Sequence, residues 1–234
     1  MPKTKTYGDL LSSIAKKISR TTEEDFSALI LNSTIEEIWK RYEWRESIET
    51  LPPFWLSPKT QDYGSPLKII PDNFDGLRTA FVVQVAGENP RITPIRVSKN
   101  LDRTSIQGPL QALAYNFDTQ SFRVFPNTPA SYGTPEWMII GTYKKLPPTI
   151  QYTDFQGTVL PFDDKWFNQI RQVALWKGYE LNGSPQEQEQ SFKALAAIDE
   201  MARDQGLNDG DTTITPSGVF AFTSINLYPG PLWR

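Results

Sequence analysis

The sequence contains no cysteine and no histidine. Disulfides, thiolate nucleophiles, Cys/His zinc sites and histidine-based triads are therefore excluded. Positive charge is also scarce: Lys and Arg number 24 against 27 Asp and Glu, for a net charge of −3. Without a basic field, the chain has little with which to hold nucleic acid by its phosphates. A mildly acidic surface suits a protein that DNA slides past. There is no apolar run of membrane-spanning length, and MPKTKTYGDLLSSIAKKIS at the start lacks the apolar core of a secretion signal. The sequence thus reads as a protein of the cytosol, or one assembled there. No phosphate-cradling glycine loop, Gly-x-Ser-x-Gly elbow or dinucleotide fingerprint is present.

What is abundant is aromatic surface: seven Trp, nine Tyr and thirteen Phe in 234 residues. Aromatic side chains bury the most apolar area per residue and are enriched at interfaces as well as in cores. They crowd into the ending GVFAFTSINLYPGPLWR, which holds Phe220, Phe222, Leu227, Tyr228, Leu232 and Trp233. NDGDTTITPSG (208–218) precedes it and reads as a polar linker. The ending then reads as an arm whose pocket lies on another chain, and packing against its own subunit is the alternative. Its alternating FAF start matches strand addition at a sheet edge.

Helical patterns flank a strand-rich middle. Leu10, Leu11, Ile14 and Ile18 form a short amphipathic stretch. Thr21-Thr22-Glu23-Glu24 offers a capping box for a helix whose stripe is Leu31, Ile35, Ile38, Trp39 and Tyr42. Leu51-Pro52-Pro53 ends helix formation. RTAFVVQVA, RITPIRVS, QALAYNF, SFRVFPN and EWMIIGTYKK then read as strands, with a hairpin turn at Asp118-Thr119-Gln120. Apolar residues on both faces of EWMIIGTY place that strand between layers. After Pro161, a stripe of Trp166, Ile170, Val173, Ala174 and Lys177 predicts a helix that stops at Asn182-Gly183. Ser184-Pro185-Gln186-Glu187 predicts the N-cap of a second, antiparallel helix through Phe192, Leu195, Ala196, Asp199 and Ala202. The fold class expected is α+β: a helical bundle from both chain ends, an inserted β-sandwich or barrel-like section, and an extended C-terminal arm. Its expected parts are residues 1–50, 51–155, 156–206 and 207–234.

Candidate chemistry is sparse. Asp163-Asp164 at a helix start read as complements to the helix dipole rather than a catalytic pair. LNDGDTT lacks the ordered carboxylates of a calcium loop. Lys3, Lys5, Lys16, Lys17 and Arg20 read as a solvated face rather than a DNA contact. Tyr42 and Trp44 in YEWRE read as helix-end aromatics packed at a domain junction.

Four segments carry a resemblance through their order: LILNSTIEEIWKRYEWRES (29–47), SFRVFPNTP (121–129), MIIGTYKKLPPTI (138–150) and LPFDDKWFNQIRQVALWKGYELNG (160–183). With the helix that follows, they make roughly residues 7–205 resemble the head-to-tail adaptor (connector) proteins of tailed bacteriophages, also called tail tubular protein A or head-completion proteins. The stretch Ser57–Pro109 matches only loosely. The resemblance implies a homo-oligomeric ring, usually a dodecamer, bound beneath the portal protein in the virion neck. Its helices would pack on neighbouring subunits around a channel through which packaged DNA passes without sequence-specific binding. The β-rich section would face outward or toward a downstream tail or tail-completion protein. A chain terminus would grip the portal or a neighbour, which assigns that role to Phe220, Phe222, Leu227, Tyr228, Leu232 and Trp233. No enzyme activity, cofactor, metal or membrane contact is implied. The rival readings are a tail-completion or tail-tube protein, a carbohydrate-binding β-sandwich stacking sugar on Trp55 or Trp137, and a carboxylate hydrolase built on Glu136, Asp154 or Asp163.

Overall fold

The computed structural model describes residues 3–64, 70–85, 91–99, 101–132 and 136–207. The fold is mixed, with four α-helices and a seven-stranded sheet among these residues. The described residues divide into two units: those up to Ser47 join residues 147–207, and Ile48–Leu146 form the other.

The first unit is helical. Its elements are α1 (Tyr7–Ile14), α2 (Glu24–Arg41), α3 (Phe167–Leu181) and α4 (Glu187–Asp204). The stripes Leu10/Ile14/Ile18 and Leu31/Ile35/Ile38/Trp39 are buried, as is the whole α3 stripe from Trp166 to Lys177. Periodicity located these faces because a helix repeating every 3.6 residues can present only one side to a core. Gly178 on α3 allows close approach, since a Cβ there would lie 2.9 Å from Ile18. Trp44 is fully buried among Tyr42, Phe162 and Trp166, and its Nε1 donates to the Ile38 carbonyl at 2.6 Å. It therefore belongs to the core of the helical unit.

Three local expectations are revised. The capping box is at Thr6 and Asp9, ahead of α1, whereas α2 starts at Glu24 with no side-chain cap. Helix α4 starts at Glu187, because the Ser184 hydroxyl closes a turn onto the Gln186 N–H instead of capping. Its buried face is Ala194, Ala197, Ile198, Met201 and Ala202, which leaves Phe192 66% exposed. Small alanines on the inner face let the two antiparallel helices sit close, and the bulky Phe192 is turned outward.

Two segments far apart in sequence are joined by direct polar contacts. The Asn32 side chain pairs with the backbone of Ile150: Nδ2 donates to the Ile150 carbonyl and Oδ1 accepts from its N–H, both at 3.0 Å. The Asp164 carboxylate accepts from the N–H groups of Thr4 and Lys5, both at 2.9 Å, and from the Thr4 hydroxyl at 2.6 Å.

The second unit is one sheet in the order β1-β7-β3-β4-β5-β6-β2. Its strands are β1 (Ile48–Trp55), β2 (Asp62–Gly64), β3 (Phe74–Gln84), β4 (Arg91–Ser98), β5 (Ala112–Asn116), β6 (Ser121–Phe125) and β7 (Trp137–Lys145). Of the expected alternatives, a sandwich or a barrel-like section, the second is the nearer: the unit is a single sheet curled into a half-barrel. Strand β4 makes the curl: Arg91–Ile95 pair antiparallel with β3, and Arg96–Ser98 pair parallel with β5. Inside the curl, Leu51, Phe54, Val82, Leu113, Phe122, Val124 and Ile139 form the unit's main core. The β5–β6 hairpin turns at the expected residues, with Gln120 at φ 48°. Strand β1 runs through Pro52-Pro53, where its pairing with β7 shifts register between Leu51 and Phe54. Proline is tolerated there because β1 is an edge strand. Gly141 of β7 is forced by contact, since a Cβ there would lie 2.3 Å from the Thr79 carbonyl.

Replacing Asn32 by Ala strands the buried amide and carbonyl of Ile150, and should cost about 1–3 kcal/mol in urea unfolding. Trp44→Ala should cost about 3–5 kcal/mol by the same measurement. An Asn32→Ala loss below a few tenths of a kcal/mol would refute the role of this pair.

Candidate interaction surfaces

The outer side of the α3–α4 hairpin carries a groove of about 800 Å³. Asn168, Gln169 and Gln172 line it from α3, and Lys193, Ala196, Ala197, Glu200 and Arg203 from α4. Gln169 donates to Glu200 at 3.3 Å, and Lys193 pairs with Glu189 at 2.5 Å. Phe192 stands one helical turn before Ala196 on the same face. The lining is thus one of amides, charged side chains and small residues. Helix α3 also holds three buried atoms without a hydrogen-bond partner: Gln169 Oε1, Arg171 Nε and Trp176 Nε1. At its inner end, Lys177 is almost buried and pairs with Glu37 at 3.2 Å and Glu180 at 2.9 Å, over the Trp176 ring. That ion pair ties α2 to α3.

The second face of the curled sheet is apolar as well. Register places Trp55, Met138, Val83 and Ile92 side by side across β1, β7, β3 and β4. The neighbouring row is Ile140, Phe81 and Pro94. Phe81, Val83, Met138 and Ile140 form a buried cluster bordered by Trp55, Val85 and Ile92. The next row turns polar, with Thr79 and Thr142 joined hydroxyl to hydroxyl at 2.7 Å. A smaller cavity of about 250 Å³ lies beside Lys99, Asp102, Asn116 and Arg123, with Arg123 committed to Asp62 at 2.6 Å.

The candidate residues from the sequence are dispersed. Phe220, Phe222, Leu227, Tyr228, Leu232 and Trp233 lie outside the described residues, as does LNDGDTT beyond Leu207. Trp55 belongs to the second face of the sheet, whereas Trp137 packs with the main core, stacked on Tyr132 at 4.2 Å. The two indoles therefore do not form one stacking platform. Glu136 falls in the β unit, and Asp154 and Asp163 in the helical unit. Among the described residues no group of three acidic side chains is placed to hold a metal ion. Of the basic residues near the start, Lys3 donates to the Pro161 carbonyl, Lys5 lies over Phe167, and Arg20 pairs with Glu23. Sequence reading missed Phe192 because the α4 stripe was placed on the wrong face; the run Ala194-x-x-Ala197 was the available signal. No helix among the described residues is long and apolar enough to cross a membrane.

Comparison with known proteins gives no family: no protein-family model matches the chain, and no curated protein matches it.

Two carboxylates fasten the ends of the helical unit. Hydrogen bonds from the Thr4 hydroxyl and the Lys5 and Thr4 amides hold the Asp164 carboxyl below its ordinary 3.8. Asp204 is lowered by Lys165, and by the Trp166 indole, which donates at 2.9 Å. Both folded-state values are depressed, so the stabilisation is present above the unfolded value. It is lost as pH falls through the lower folded one. Melting temperature should therefore drop between about pH 5 and about pH 2, and the Asp164→Asn/Asp204→Asn double variant should show a shallower drop. Equal slopes for the two proteins would show that other groups govern the acid transition.

Proposed function

We propose that this chain is a structural adaptor subunit of a tailed-phage neck, forming a ring beneath the portal that joins head to tail. The observation that carries the reading is the order of segments 29–47, 121–129, 138–150 and 160–183 along the chain. The two-unit organisation supports it: helices from both sides of the β unit share one core, and the strands form a separate body between them in sequence. In this reading the helices complete a bundle that packs on neighbouring subunits around the DNA channel. The α3–α4 groove and Phe192 supply a subunit contact, because a large exposed aromatic beside small and amide-bearing residues suits helix-on-helix docking. The net charge of −3 suits a channel wall that DNA passes without adhering. The β unit faces outward or toward the tail, and residues 207–234 form an arm that grips the portal or a neighbour. The site of action is the virion neck, with assembly in the host cytoplasm. The chain needs no cofactor for this work, which is docking, sealing and passage of DNA.

Cryo-electron microscopy of the protein mixed with its portal tests the proposal. The expected image is a ring seated under the portal, most simply of twelve subunits. A monomer that persists with no affinity for portal would overturn the reading. A ring that forms alone and stacks into tubes would favour a tail-tube protein instead. Phe192→Ser should reduce ring formation while leaving the melting curve of the isolated subunit in place, because the side chain is 66% exposed.

A further inference from the structure

We infer that the outer face of α4 is a two-fold docking surface for a second copy of this chain, the two α4 helices lying antiparallel. The inner face of α4 is spent on the core of its own unit through Ala194, Ile198, Met201 and Ala202. The opposite face carries Glu189, Lys193, Ala196, Glu200 and Arg203, all of them exposed. They follow one another at steps of four, three, four and three residues. That spacing keeps a single line of side chains turned toward one partner helix. The charges along the line are negative, positive, none, negative and positive, an order that inverts about Ala196. In an antiparallel pair centred on Ala196, Glu189 therefore meets the other copy's Arg203, Lys193 meets its Glu200, and the two Ala196 meet each other. A parallel pair in register would set every charge against its like. The sequence of this face thus selects one orientation and one register.

Exposed ion pairs contribute little to affinity and act mainly by excluding wrong arrangements. The attraction comes from Phe192, which is 66% exposed on the free chain. In the same antiparallel register Phe192 falls opposite the other copy's Glu200, which lines the α3–α4 groove together with Gln169, Ala196 and Ala197. Each copy thus lays an aromatic ring into the groove of the other, the kind of anchor that dominates binding energy. The small side chain of Ala196 at the axis lets the two helices come close enough for this. The charges are free to take part. Lys193 reaches only Glu189, at 2.5 Å on the helix surface, and Arg203 is held by its own backbone through Nε alone. Because both copies use the same patch, the contact closes at two and does not propagate. It describes the free chain and does not rest on the neck reading, in which such a pair opens before a ring forms.

Sedimentation equilibrium of the full-length chain without portal, between about 1 μM and about 1 mM, should show monomer and dimer and nothing larger. Lys193→Glu and Glu200→Lys should each weaken the dimer by about tenfold or more, since each sets like charges against one another at both ends of the contact. Mixing the two variants should restore it, because the charges of one chain then face opposite charges on the other. As a second measurement, the absence of native cysteine lets a single thiol report the axis. Ala196→Cys should oxidise to a covalent dimer far faster than Glu36→Cys on the exposed side of α2; if a charge variant does not fold, this result decides. A chain that stays monomeric throughout, single variants that pair as tightly as the parent, or a mixture no tighter than either variant alone would overturn the inference. A ring formed by the parent chain on its own would overturn it too, while supporting the neck reading. A dimer with no affinity for portal would uphold the pairing and count against the neck.

Discussion

The helical unit is built from two stretches of chain separated by the whole β unit, and the Asn32 amide is what ties them. A carboxamide in the middle of a helix has a donor and an acceptor side by side, matching one residue of extended backbone. Asn32 offers both to Ile150, so the chain leaving the β unit is fixed against α2 at one register. From there the backbone runs through Phe155, Leu160 and Phe162 into the core and on to α3. Asp164 repeats the device at the other end by holding the N–H groups of Thr4 and Lys5. The Lys177–Glu37 pair then locks α2 to α3. Hydrophobic burial supplies most of the stability, but it is non-directional. These few polar contacts decide which segments it brings together.

The helical faces were legible because burial against one core imposes the 3.6 period, and the α3 stripe survives even with Lys177 in it. A buried ammonium fits there because Glu37 and Glu180 neutralise it, which periodicity cannot see. Helix α4 was misread because alanines and larger apolar residues compete for the same stripe. The decision between them depends on the gap that α3 leaves. Strand β1 was missed because two prolines argue against a strand until its place at the edge is known. The parallel pairing of β4 with β5 was likewise out of reach, since local sequence specifies strands and turns but not which strands meet.

Of the candidate surfaces, the aromatic ending is marked by composition alone and lies outside the described residues. The cluster of Phe81, Val83, Met138 and Ile140 was visible in part, as a strand apolar on both faces. That pattern is the signature of a strand with cover above and below. It is also why Trp55 and Trp137, close in register, have different surroundings: Trp55 pairs with Met138, the residue next to Trp137, so their side chains emerge on opposite sides.

The two margins of the sheet carry a consequence of their own. At one, β1 is interrupted by Pro52-Pro53; at the other, β2 spans three of the described residues. Among the described residues, neither presents a long row of free backbone donors and acceptors on which a further strand could template. Many copies of this chain can therefore be crowded together without their sheets fusing edge to edge into fibrous aggregates. Ordered association is left to side chains, whose contacts can be specific in angle and finite in number.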